Sequence, residues 1–234
     1  MTRRGLLNAL LAPIQPARLC WLSLDLLHGT ESVHWPDCET PIGFGSLLKP
    51  FLTLAFAATH STFPKVFCRG ARDRCWLPGG HGEQDVVAAL ANSCNAYFLH
   101  VARAIDRAAL DSTCLSYGLT LPTRSLNPEA LIGLGPGWRN SPIAVTQAFG
   151  RLTDPTVLRG MAECAVSGTG KNLHLACYAK TGTAPCSHTK RAPGDGYVAV
   201  LYPRAQPRSV LLLQRHGATG AETCRYARQT LDSL

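Results

Sequence analysis

A serine and a lysine stand three residues apart in Gly45-Ser46-Leu47-Leu48-Lys49-Pro50-Phe51. On a helix that spacing puts both side chains on one face. A serine at a helix N-terminus sits beside unpaired N–H groups and the positive end of the dipole, which favour a developing oxyanion. A neutral lysine next to it can take the hydroxyl proton and make a weak nucleophile effective. That chemistry requires an amine whose pKa is lowered by burial or by a second positive charge. Leu47, Leu48 and Phe51 offer the apolar surroundings for it. Taken alone the motif is common, and it equally describes a capping serine followed by a solvated lysine.

Two further stretches extend the pattern. Ser93-Cys94-Asn95 falls in a turn between two expected helices. A turn can aim a hydroxyl and a carboxamide side by side into a cleft, the hydroxyl to relay a proton and the amide to bind a substrate amide. By itself, Ser93 reads as a cap for the helix beginning near Asn95. Lys180-Thr181-Gly182-Thr183-Ala184 lies at the end of an expected strand. Gly182 permits close approach to the backbone. Lys180 brings positive charge, and Thr181 and Thr183 bring hydroxyls suited to a carboxylate. The N–H of Thr183, with that of Ser46, can form an oxyanion hole. The order Ser-x-x-Lys, Ser-x-Asn, Lys-Thr-Gly is far more specific than any one element.

These residues need elements to hold them. Leu19–Asp25 and Ser32–Trp35 read as a strand pair about a turn at Gly29-Thr30. A helix is expected from Ser46 to about Thr59, and others over about 84–91, 95–107 and 108–117. Residues 61–82 read as irregular and 118–140 as mostly loop. Ser141-Pro142 is a helix start, with proline in the first turn, for a helix reaching about Leu152. Strands are expected over 175–180, 196–202 and 209–214, then a closing helix over 221–233. Segregated strands and helices predict an α+β fold: a mixed antiparallel sheet flanked by helices, with an all-helical subdomain over about 61–152. The expected division is a lead-in over 1–18 and one domain over 19–234.

The chain has 234 residues and a formal net charge of +8, with its basic residues scattered rather than striped. No nucleic-acid motif accompanies them, so a nucleic-acid partner is not expected. There is no apolar run of about 20 residues, so no spanning helix is expected. Met1–Ala12 pairs two arginines with a short apolar stretch, which reads better as an amphipathic lead-in than as an export signal. The ten cysteines include no C-x-x-C pair. Most read as small buried hydrophobes, while Cys68 and Cys75 could pair in an oxidising compartment. His81 and His216 sit beside glycines in expected loops and are not needed where lysine already supplies a base.

From about Leu19 onward the chain resembles the transpeptidase domain of penicillin-binding proteins. The three motifs resemble that family's signature set, Gly80-His81-Gly82 is similar to its Gly-His-Gly stretch, and Ser141–Phe149 resembles the helix before its last motif. The resemblance implies Ser46 as nucleophile, Lys49 as base, Ser93 as proton relay and Asn95 as contact for the substrate amide. It assigns Lys180, Thr181, Gly182 and Thr183 to the substrate carboxylate and the oxyanion. It implies attack on the D-Ala-D-Ala bond of peptidoglycan stem peptides, covalent capture of β-lactams, no cofactor and no metal, and a periplasmic or extracytoplasmic location. Two rivals share the motifs. A serine β-lactamase needs a carboxylate base for deacylation, for which Glu129 is the only acidic candidate in the corresponding loop. A non-catalytic module would bind muropeptide or β-lactam without turnover.

Overall fold

Capping and apolar patterning account for most of the elements. The computed structural model describes residues 19–123, 125, 127–135, 137–186 and 193–233, so the lead-in over 1–18 lies outside the described residues. Strand β1 (Leu19–Asp25) turns back into β2 (Glu31–His34), and β3 (Ile42–Gly43) leads to a 3-10 turn, Gly45–Leu48. That turn runs straight into helix α1 (Lys49–Ala57). Strand β4 (Val66–Cys68) and β5 (Gly82–Gln84) form a small hairpin around a second 3-10 turn, Gly70–Asp73. Helices α2 (Val86–Ala91), α3 (Asn95–Ala104), α4 (Arg107–Tyr117) and α5 (Pro128–Leu131) follow, then β6 (Arg139–Asn140), which pairs with β3. Helices α6 (Pro142–Gly150) and α7 (Pro155–Val166) precede β7 (Tyr178–Ala184), β8 (Asp195–Tyr202) and β9 (Ser209–His216), and α8 (Gly220–Thr223) and α9 (Ala227–Asp232) close the chain.

Aspartate, asparagine or serine side chains cap the starts of α2, α4, α5, α6 and α7. Asp85, Asp106, Asn127, Ser141 and Asp154 each accept a hydrogen bond from the backbone N–H three residues on, satisfying a donor that the helix leaves unpaired. The expected Ser141-Pro142 start is one of these.

The main sheet is antiparallel throughout, in the order β2-β1-β9-β8-β7. Alternate residues of its central strands feed two cores. Tyr197, Ala199 and Leu201 of β8, with Val210 and Leu212 of β9, face the helical side. Val198, Val200, Leu211 and Leu213 face the other, against Ala165, Leu173, Cys224 and Ala227. A strand covered on both faces reads as a continuous apolar run, which is what 210–213 shows. Helix α1 is buried almost all round, through Phe51, Leu52, Ala55 and Phe56, and Phe51 meets Phe149 of α6 edge-on at 5.5 Å between ring centroids.

Several details of the fold differ from the sequence-based expectation. The region over 61–152 is not purely helical, because the β4–β5 hairpin and β6 lie within it. Helix α6, assigned to that region, packs on β1 and β9 of the sheet. Helix α7 was not anticipated, although Asp154-Pro155 is a start of the same kind as Ser141-Pro142 and Leu158, Arg159, Met161, Ala162, Glu163 and Ala165 are good helix formers.

Strand β7 touches the turn at the start of α1 through glycines. A Cβ on Gly182 would lie 2.4 Å from Phe44 O, and one on Gly45 (φ +56°) would lie 2.2 Å from Thr183 O. Gly182→Ala is therefore expected to cost about 1–3 kcal/mol of overpacking strain, read as a lower urea midpoint. Wild-type stability in that variant would show that this contact is not tight.

Candidate active site

The three motifs meet in one cleft of about 410 Å³, lined among others by Ser46, Ser93, Asn95, Thr181, Gly182 and Thr183. Each comes from a different part of the fold. Ser46 is half-buried in the 3-10 turn that leads into α1, not in the first α-turn itself. Ser93 sits in the tight connection between α2 and α3, with φ +51°. A non-glycine residue there carries backbone strain that the surrounding structure must sustain. Lys180, Thr181, Gly182 and Thr183 lie inside β7, whereas the expected strand stopped at Lys180.

Lys49 and Lys180 are both completely buried beneath the cleft. The Lys49 amine donates to Ser93 O at 2.9 Å and Asn95 Oδ1 at 2.7 Å, with Ser93 Oγ further off at 3.5 Å. The Lys180 amine donates to Ser93 Oγ at 2.9 Å and Thr181 O at 2.9 Å. Two amines from distant segments thus converge on one serine. Burial first, and then the charge of Lys180, holds Lys49 well below its ordinary 10.5. Burial brings Lys180 down to about 8. A lysine in that condition can be a neutral base near physiological pH.

The sequence reading placed the Ser46 hydroxyl beside Lys49. None of the acceptors that Lys49 Nζ engages is Ser46; its bonds run to the Ser93–Asn95 connection. Asn95 is tied at both ends of its amide, accepting from Lys49 and donating to Arg74 O at 3.2 Å. Thr181 Oγ1 lies 2.5 Å from Thr169 Oγ1, and Thr183 Oγ1 accepts from Gly220 N at 3.1 Å. Thr169, Thr219 and Gly220 therefore join the cleft. Sequence reasoning missed them because no motif marks them; only the folding of α7 and α8 onto β7 and β8 brings them in.

Residues considered for other roles lie elsewhere. Glu129 pairs with Arg74 at 3.0 Å and is not part of the cleft wall. His216 Nδ1 lies 2.7 Å from Asp195 Oδ1. Cys68 and Cys75 are both free thiols, so they do not form the disulfide considered for them. Cys75 Sγ instead contacts Cys94 Sγ at 4.0 Å. Among the described residues no helix is long and apolar enough to cross a membrane.

No family model matches the chain. It is 30% identical over 118 residues to stage V sporulation protein D of Bacillus subtilis, a stretch covering 50% of this chain and 18% of that much longer protein. Solved structures match far more of it. The PBP2 of Pseudomonas aeruginosa, in complex with WCK 5153, superposes with a TM-score of 0.75 at 16% identity, covering 93% of this chain and 74% of that one. The transpeptidase domain of the D,D-transpeptidase FtsI4 from Legionella pneumophila gives a TM-score of 0.67 at 15% identity, covering 93% and 90%. The chain shares the fold of these penicillin-binding transpeptidase domains.

Proposed function

We propose that the chain is a serine acyl-transferase acting on D-Ala-D-Ala stem peptides of peptidoglycan, outside the cytoplasmic membrane, and that β-lactams acylate it at Ser46. The observation that carries this reading is the meeting of Ser46, Ser93 and Thr183 at one cleft with two buried amines on Ser93. The transpeptidase domain of similar fold and the three motifs support it.

The roles proposed for these residues give the following steps. Ser46 Oγ attacks the carbonyl carbon of the penultimate D-Ala, and its proton passes to neutral Lys49. The negative charge gathering on the carbonyl oxygen falls to the N–H groups of Ser46 and Thr183, whose segments approach where Gly45 meets the Thr183 backbone and Gly182 meets Phe44 O. Ser93, accepting from Lys180, hands its own proton to the departing D-Ala amine as the carbonyl carbon–nitrogen bond breaks, and takes back the proton that Lys49 received, across 3.5 Å. Strand β7 is an edge strand, so an extended peptide can lie along it. Lys180 in its charged form attracts the terminal carboxylate. The acyl group then passes to an amine or to water. Among the described residues lining the cleft there is no carboxylate, which favours slow hydrolysis and a transpeptidase over a β-lactamase.

Intact-protein mass after incubation with benzylpenicillin is expected to show one persistent adduct, absent in Ser46→Ala. An adduct that survives the substitution would refute Ser46 as nucleophile, and rapid loss of the adduct would favour the lactamase reading.

The two lysines also predict a pH profile for acylation. Raising pH deprotonates Lys49 and switches on the base, so the rate climbs through a pKa well below 10.5. Lys180 loses its charge above about pH 8, and with it the attraction for the substrate carboxylate, so the rate falls again. A bell-shaped profile is expected, and a flat one over about pH 6 to 10 would contradict the role given to Lys49.

A further inference from the structure

Four side chains that bind metals converge at the foot of α3, behind the cleft. Cys68 ends β4, Cys75 follows the Gly70–Asp73 turn, His81 precedes β5, and Cys94 is the residue before α3. Their ligand atoms all lie within 4.8 Å of one another. Cys75 Sγ and Cys94 Sγ are 4.0 Å apart, and His81 Nδ1 lies 3.4 Å from Cys75 Sγ and 3.6 Å from Cys68 Sγ.

These separations discriminate between the chemistries available to thiols. A disulfide needs sulfurs about 2.05 Å apart, half of what is found. A tetrahedral zinc ion with Zn–S of about 2.3 Å and Zn–N of about 2.0–2.1 Å needs S···S edges of about 3.8 Å and S···N edges of about 3.6 Å. The separations of 4.0, 3.4 and 3.6 Å lie within about 0.3 Å of those edges. The scaffold is also built for it. Backbone hydrogen bonds fold the loop back on itself, Cys75 N to Gly70 O at 3.0 Å, Ala71 N to Pro78 O at 3.1 Å and Gly80 N to Leu77 O at 3.0 Å. The N–H groups of Leu77, Asn95 and Ala96 are directed at the Cys75 sulfur, which is how a thiolate ligand is held. Trp76 packs against the His81 ring, 5.2 Å between centroids.

We propose that Cys68, Cys75, His81 and Cys94 bind one Zn²⁺ in a closed, structural Cys₃His site. The three thiols release their protons on binding. Four protein ligands leave no open position for a substrate, so the ion takes no part in the acylation chemistry proposed above. Its influence on the cleft is mechanical. Cys94 lies between Ser93 and Asn95, so a metal bond to its sulfur pins the connection that holds Ser93 at φ +51° and receives both lysine amines.

The test is metal analysis of the full chain purified under reducing conditions without chelator. About one equivalent of zinc per chain is expected. Replacement by Co²⁺ should give the intense visible bands of tetrahedral cobalt and sulfur-to-metal charge transfer. Cys68→Ser and Cys94→Ser should each lose most of the metal, while Cys164→Ser, remote from the site, should keep it. Should those two variants fail to fold, release of one zinc equivalent from the folded wild type by a thiol-specific mercurial reads the same ligands. Metal below about a tenth of an equivalent, with no tetrahedral spectrum on adding Co²⁺ to reduced protein, would overturn the proposal, as would full retention of zinc in Cys68→Ser and Cys94→Ser. None of these readouts depends on acylation, so a failure at Ser46 and a failure of the metal site are told apart.

Discussion

Lys49 and Lys180 are completely buried, and among the described residues neither forms an ion pair with an acidic side chain. Taking an ammonium out of water without a counter-charge is expensive, and the group relieves that cost by giving up its proton. The rest of the site is arranged around this constraint. Each amine needs acceptors, and the fold supplies them from one place, the connection between α2 and α3. That connection must adopt an unfavourable backbone angle at Ser93 to present its carbonyl, its hydroxyl and the Asn95 amide together. The strain of one residue is thus bound up with the solvation of two others.

The same economy appears where the sheet meets α1. The chain must bring Ser46 next to a strand from the far end of the sequence, and only residues without side chains let two backbones come so close. The hydrophobic surroundings of α1 then do two jobs. Phe51, Phe56 and Leu52 join the helix to the larger core, and the same apolar packing withdraws Lys49 from water. Stability and amine chemistry draw on a single set of contacts, so substitutions in this helix will rarely separate the two.

Much of this was legible from the residues alone. The strand alternation at 19–25, the apolar run at 210–213 and the Ser141-Pro142 cap foretold elements that the structure contains. The motif order brought Ser46, Ser93, Asn95 and the β7 residues to one cleft. What escaped was non-local. Helix α7 has a legible start at Asp154-Pro155, but its packing against α2 and β7 is not legible. Thr169 and Gly220 enter the cleft through that packing. The partners of Lys49 were misread because helical spacing speaks only of neighbours on the same helix, while its acceptors come from more than forty residues away. The grouping of Cys68, Cys75, His81 and Cys94 was hidden for the same reason: no short spacing announces ligands carried by four separate elements.

The two borders of the main sheet have opposite needs. An unpaired strand invites other chains to add to it and so to grow intermolecular sheet. At one border β2 is only four residues long, is exposed along its length and begins with Glu31, which is held by Gln147 at 2.9 Å. That brevity and charge discourage unwanted partners. At the other border such defences would block the cleft, so β7 is shielded instead by the turn carrying Ser46. The part of the molecule most open to a visiting peptide is therefore also the part where self-association has to be prevented by shape alone.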